Sequence, residues 1–353
     1  GSRLNYAPGA AVSLNAVTFA DAASTLALVG RAAPTVFTLE AHVDPGANGK
    51  GIVILERTGG NVTLTGNGLK TLGTNANHIV ELRAIGATNI VTANIDLTNV
   101  NAVNVKNGGT LASQTNTIFA VPAITIGEAG GAGILIADSQ GAANIDVLDN
   151  GGTIVFDHAD SLLKLTNTTN GNNATFTLKG SLVPGGAPVD LKGKLEIDAT
   201  GTKTITIAKN AGETIGTSGV KRLNTLTISG DQDVVVDPNT FAKNLIISNT
   251  AAVTFNNTLF AGNADASLMS VTAAGGDITL NGNTTYKTIN FNNNARTVHL
   301  GNNRTLTAGA INNGGTAVLT FDGIGTLTLV DTKTVNLSRI NAGANGVTVT
   351  LGE

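Results

Sequence analysis

Three stretches of this chain gather side chains whose types and spacing suit chemistry. The first is "DQDVVVD", which sets Asp231, Asp233 and Asp237 close together. On an extended strand Asp231 and Asp233 share a face, and a pair of carboxylates is what glycoside hydrolysis needs, one as acid and one as base or nucleophile. No aromatic sugar platform accompanies them in sequence, so they read as a solvated turn ahead of the apolar run Val234 to Val236. The second is "DHAD", where Asp157, His158 and Asp160 would make a carboxylate-oriented imidazole or part of a metal ligand set. His42, His78 and His299 stand alone in sequence and read as solvated. The third is "GGAG" at 130 to 133 followed by "ILIAD", which has the glycines of a calcium-binding nonapeptide turn. That turn needs Asp two residues after its last Gly, and Leu135 stands there. No phosphate-binding loop, HExxH or GxSxG motif occurs in a useful context. On these grounds no catalytic, cofactor-binding or metal-ligating residue is assigned, no cofactor is expected, and the contacting residues of any binding surface stay unknown.

The elements that must carry these residues follow from composition. Apolar residues make up 41% of the 353, yet aromatics are 3%, with no Trp, two Tyr and one Met. A wide globular interior is normally filled by large rings, so this core must be narrow and built from Val, Ile, Leu and Ala. Charged residues are only 13%, with a net charge of −3 and no basic stripe, which argues against nucleic acid as a partner. The β-branched content excludes a disordered chain. With no Cys, disulfides and thiolate chemistry are absent, which suits export through an oxidising compartment. Gly1-Ser2 reads as a cloning scar, and the chain reads as a fragment whose targeting and anchoring parts lie outside it.

Short runs of alternating apolar residues and Thr recur along the sequence. They include "VTLT" at 62 to 65, "ITI" at 124 to 126, "TIVF" at 153 to 156, "TFTL" at 175 to 178, "TITI" at 204 to 207 and "TLTI" at 225 to 228. The series continues through "VTF" at 253, "ITL" at 278, "TVHL" at 297 and "TLTLV" at 326 to "VTVTL" at 347 to 351. Each predicts a strand with one apolar face and one Thr-rich face. Asn-Gly pairs such as Asn107-Gly108 and Asn313-Gly314 separate them and supply left-handed turn conformations. The one competing helical reading is "FADAASTLALVG" at 19 to 30, on its Ala content, stopped by Gly30 and Pro34.

Thin cores, short strands and Asn-rich turns together predict an all-β fold: an elongated right-handed parallel β-helix, or β-solenoid, of irregular coils. At roughly 20 to 25 residues per coil, about 15 coils rising about 4.8 Å each give a rod of about 70 Å. Residues 1 to 60, with Pro8, Pro34 and Pro45, read as a less regular N-terminal part or cap, and 61 to 353 as the solenoid proper. Pro184 and Pro188 in "SLVPGGAPVD" mark an expected loop or junction at 181 to 190.

Several phrases resemble a known family. "NVTLTGNG" (61 to 68), "NTLFAGNADASLMSV" (257 to 271), "ITLNGN" (278 to 283), "TVHLGNNRTLTAG" (297 to 309) and "AVLTFDGIGTLTL" (317 to 329) are similar to the passenger regions of rickettsial outer-membrane autotransporters, the surface cell antigen family. The resemblance implies a non-enzymatic passenger displayed on the bacterial cell surface and tethered to the outer membrane by a C-terminal β-barrel that is absent here. It also implies adhesion to host cells through a host-cell surface protein or matrix component, and a role as a surface antigen. The competing expectations are a β-helical polysaccharide lyase or hydrolase, and a structural spacer or surface-layer protein.

Overall fold

The computed structural model describes residues 2–8, 11–31, 33–66, 70–86, 90–95, 97–113, 121–139, 144–147, 151–168, 173–186, 191–201, 203–217, 221–262, 266–343 and 346–351. Within them the regular structure is all strand, from Arg3–Tyr6 to Val347–Leu351, joined in one 32-stranded sheet.

The pairing pattern is set by register. Leu4 lies beside Leu26, then Val53, Leu82, Val103, Ile124, Ile154, Leu182, Ile215, Thr240, Leu259, Thr284, Leu306, Leu327 and Val349, each the parallel neighbour of the one before. One parallel ladder thus runs from Arg3 to Leu351. All its inward residues between the two ends are buried. Thirteen of the fifteen are aliphatic, as the alternating runs predict. Thr240 and Thr284 also belong to the column, and their hydroxyls bond the carbonyls of Pro238 and Gly282 at 3.1 and 3.4 Å, so no buried donor is left unpaired.

A second parallel ladder starts at Val12–Leu14 and passes through Lys192–Ala199 and Leu223–Gly230 to Thr334 and Val335. A third starts at Asn144–Val147 and runs through Ile205–Lys209 and Thr297–Leu300 to Asn341. Before residue 144 this third side is represented by the bridges of Val17 to Val43 and Val43 to Leu72. The inward faces of all three ladders meet in a single apolar cluster. Strand 192–199, "KGKLEIDA", shows the logic: Leu195, Ile197 and Ala199 point in, and Lys194, Glu196 and Asp198 point out. Burying each such Leu or Ile stabilises the stack by about 1.5–3 kcal/mol.

Residues 19 to 30 are not helical. Thr25–Gly30 is a strand with Leu26 and Leu28 in the main core. Its opposite face is covered as well, because Ala27, Val29 and Ile54 form a small outer cluster with Ala7, Ile52 and Ile85. A strand apolar on both faces loses the alternation that identifies one. The first 60 residues supply strands to the same two ladders as the rest. In the 181 to 190 segment, Ser181–Pro184 is a strand, with Leu182 in the central column and Pro184 at its end beside Phe156. Residues 187–190, including Pro188, lie outside the described residues. Of the Asn-Gly turns, Asn107 and Gly108 have φ of 51° and 70°, the left-handed pair that Asn and Gly adopt at least cost. Asn67-Gly68 and Asn170-Gly171 lie outside the described residues.

Candidate functional site

The residues singled out for chemistry are placed at the corners between ladders, where they tie one layer to the next. Asp231 Oδ1 accepts from the Gly201 N–H at 3.4 Å, Asp233 Oδ1 from the Ala252 N–H at 3.1 Å, and Asp237 Oδ1 from Asn256 Nδ2 at 2.6 Å. Each of these carboxylates thus accepts a bond from an adjacent layer. The Asp237 contact extends into an Asn ladder, since Asn281 Nδ2 donates to Asn256 Oδ1 at 3.0 Å.

In "DHAD", Asp157 pairs with Lys192 at 3.1 Å and Asp160 with Lys194 at 2.7 Å. His158 Nδ1 accepts from the Asp160 N–H at 3.1 Å, so the ring caps a local turn. The Lys194 hydrogen bond and charge hold the exposed Asp160 carboxyl below its ordinary range. Gly131 faces Glu128 across an antiparallel bridge, and Leu135 is fully buried in the core. No group of three or more His, Asp or Glu that could hold a metal occurs among the described residues.

Three polar clusters were not legible as clusters in sequence. Glu81 is almost buried and accepts from Arg83 Nε and Nη2 at 2.7 and 2.6 Å and from Asn104 Nδ2 at 2.7 Å. Burial pushes its carboxyl up, but the Arg83 and Asn104 bonds outweigh this and hold it below the usual range. Lys164 reaches Glu196 at 2.9 Å and Asp198 at 2.6 Å in the next layer. His299, solitary in sequence, lies between two carboxylates: Nδ1 is 2.9 Å from Asp322 Oδ1 and Nε2 is 3.3 Å from Asp277 Oδ2.

Burial pulls the His299 imidazole down, but Asp322 and then Asp277 overcome this and raise its pKa above the ordinary value. A group raised on folding contributes stability fully below its unfolded pKa, about 6.5, and loses it as pH climbs through the folded pKa. The clamp from Asp277 to Asp322 is therefore expected to be tightest in mildly acid solution and to slacken as pH rises through the raised pKa of His299. NMR titration of the His299 ring should show the raised pKa. His299→Gln should remove the corresponding pH dependence of the melting temperature, and an unshifted titration would refute the clamp.

The outer face of the first ladder forms a continuous strip. Its outward residues include Thr125, Val155 and Val183 in successive layers, and further on Phe241, Phe260, Thr285, Thr307, Thr328 and Thr350. Thr305, Thr326 and Thr348 flank the last three in register. Phe241 and Phe260 are the only described phenylalanines that are not buried. Their rings meet edge to face, 6.3 Å between centroids at 64°. Each stands between two buried neighbours, Thr240 and Ala242 or Leu259 and Ala261, and this alternation aims the ring outward. A Phe one residue out of phase with the inward positions was the sequence signal available for this pair.

The fold and these surfaces define a class: an all-β stack of parallel strands whose polar corners join its layers and whose outer faces are Thr-rich. No family model, curated protein or solved structure matches the chain.

Proposed function

We propose that the chain is a right-handed parallel β-helix acting as a non-enzymatic, surface-displayed passenger of the autotransporter type, adhering to host cells from the bacterial outer membrane. The parallel column from Leu4 to Val349 is the observation that carries this reading. Fifteen layers about 4.8 Å apart give a rod of roughly 70 Å, and the right-handed winding is the hand that parallel crossovers prefer. A rod of constant section holds its outer faces away from its point of attachment and adds no central cleft. The partner under this reading is a protein or matrix component of the host-cell surface.

A non-enzymatic role is supported by the way Asp231, Asp233 and Asp237 accept bonds from neighbouring layers. The chain, labelled and added to cultured host cells, is expected to bind saturably and to be displaced by the unlabelled chain. Binding that rises linearly without saturation would favour a structural spacer. Release of unsaturated or reducing ends from uronate polysaccharides, abolished in Asp231→Asn or Asp233→Asn, would establish an enzyme instead.

A further inference from the structure

We infer that the outer strip from Phe241 to Thr350 is a binding site for an uncharged, β-linked polysaccharide lying along the axis of the stack. This names a ligand class for the display surface and rests on that reading.

Two outward columns stand side by side through six successive layers. One begins with Phe241, Phe260 and Thr285 and continues through Thr307 and Thr328 to Thr350. The other lies two residues earlier in each layer, on the same face by alternation: Asn239, Thr258, Asn283, Thr305, Thr326 and Thr348. None of these side chains is charged, and none is buried. Outward positions of the other ladders differ, since Lys164 there pairs with Glu196 and Asp198, and Lys179 with Asp146. Lys243 and Lys287 stand outside both columns, in a third, two residues beyond Phe241 and Thr285.

The lack of charge selects the ligand. A carboxylate or phosphate polymer finds no row of cations in either column, whereas a neutral sugar docks there without desolvating an ion. The polar groups present suit hydroxyls. Asn239 Oδ1 and Asn283 Oδ1 accept the N–H of Thr258 and Thr305 in the next layer at 3.2 and 3.0 Å, which fixes each amide and keeps its NH2 as a donor. Among the described residues no hydrogen bond engages the hydroxyls of Thr307, Thr328 and Thr350, so each can both donate and accept. At one end the partly exposed pair Phe241 and Phe260 offers rings to the C–H face of a β-linked pyranose.

Spacing leads to the same ligand. The layers rise about 4.8 Å, close to the advance of one sugar in a straight β-1,4-linked chain, so successive sugars meet equivalent positions. An α-linked chain coils and loses that match.

The test is calorimetric titration of the whole chain with chitohexaose, with maltohexaose as the α-linked probe and a hyaluronan-derived decasaccharide as the anionic one. Chitohexaose is expected to bind with an affinity that added salt leaves unchanged, because no ion pair forms. Both other probes should bind at least about tenfold more weakly. Phe241→Ala combined with Phe260→Ala should weaken chitohexaose binding at least about tenfold, and Phe260→Tyr, which keeps a ring, should retain it. Thr307→Val with Thr328→Val keeps the shape and strand preference of the side chains but removes two hydroxyls, and should weaken binding several-fold at an unchanged melting temperature.

Four results would overturn the inference: no binding of chitohexaose, equal binding of maltohexaose, tighter binding of the decasaccharide, or unchanged affinity in both double variants. If chitohexaose fails to bind while cells still bind the chain saturably, the site is wrong and the adhesive role stands. Chitohexaose binding that the double variants weaken, without saturable cell binding, would keep the site and remove the adhesive role.

Discussion

Replacing Arg296 with Met is expected to lower stability by about 3–5 kcal/mol, through the main-chain acceptors it leaves without a donor. Arg296 is almost completely buried. Its Nε donates to the Ala273 carbonyl and Nη1 to the Ala251 carbonyl, both at 3.0 Å, and the guanidinium also donates to the carbonyls of Gly276 and Asn249. One side chain therefore satisfies main-chain acceptors in two layers beneath its own. Met fills most of the volume but bonds none of the four oxygens, and an acceptor orphaned in the buried part of the site, the Asn249 carbonyl, costs about 1–3 kcal/mol. Arg296→Lys should recover only a fraction, because an ammonium lacks the planar fork that spans acceptors in two layers. Urea unfolding monitored by circular dichroism provides the measurement, and a loss below about 1 kcal/mol would show that water replaces the guanidinium without penalty.

The second large effect is expected at Phe156 and Gly193. Phe156 is fully buried, stacked in register between Ile126 and Pro184, and Phe156→Ala should cost about 3–5 kcal/mol through the cavity it leaves. Gly193 has φ of 82°, and a Cβ there would sit 2.2 Å from Phe156 Cγ. Gly193→Ala therefore meets both a left-handed backbone, worth about 1–2 kcal/mol, and a ring that close packing prevents from moving. In the Phe156→Ala background the ring contacts at 2.2 and 2.6 Å are gone while the contact with the Cβ of residue 156 at 2.5 Å remains, so only part of the clash is relieved. The two substitutions should be non-additive by at least about 1 kcal/mol in a double-mutant cycle, whereas additive losses would mean that the ring shifts freely.

Much of the fold was legible in sequence because alternation is a local signal. "TIVF" and "TLTI" announce their inward residues within four positions, and the structure places Ile154, Phe156, Leu226 and Ile228 in the core. Strand 25–30 escaped because Ala27 and Val29 are buried on the face that is normally Thr-rich. The corner chemistry was opaque for a different reason. Asp277 and Asp322 each lie about one layer of chain from His299, and the carbonyls held by Arg296 are 20 to 47 residues away. Variable loop lengths between layers mean that no fixed offset in the sequence pairs such residues. The carboxylates of Asp231, Asp233 and Asp237 could be seen as a group, but the layer-to-layer bonds that engage them could not.

The parallel column from Leu4 to Val349 also governs how the chain reaches its native state. Contacts between adjacent layers join residues only about 20 to 33 positions apart, wherever along the chain they are made. The entropy of loop closure depends on that separation, so adding the fifteenth layer is no harder than adding the third. Conventional β-proteins fold slowly because their pairings span most of the sequence. This one has a contact order set by a single layer and nearest-neighbour cooperativity, so order can start in one well-packed layer and spread as a front. A chain emerging from a narrow exit, one segment at a time, could then fold progressively, each finished layer serving as the template for the next.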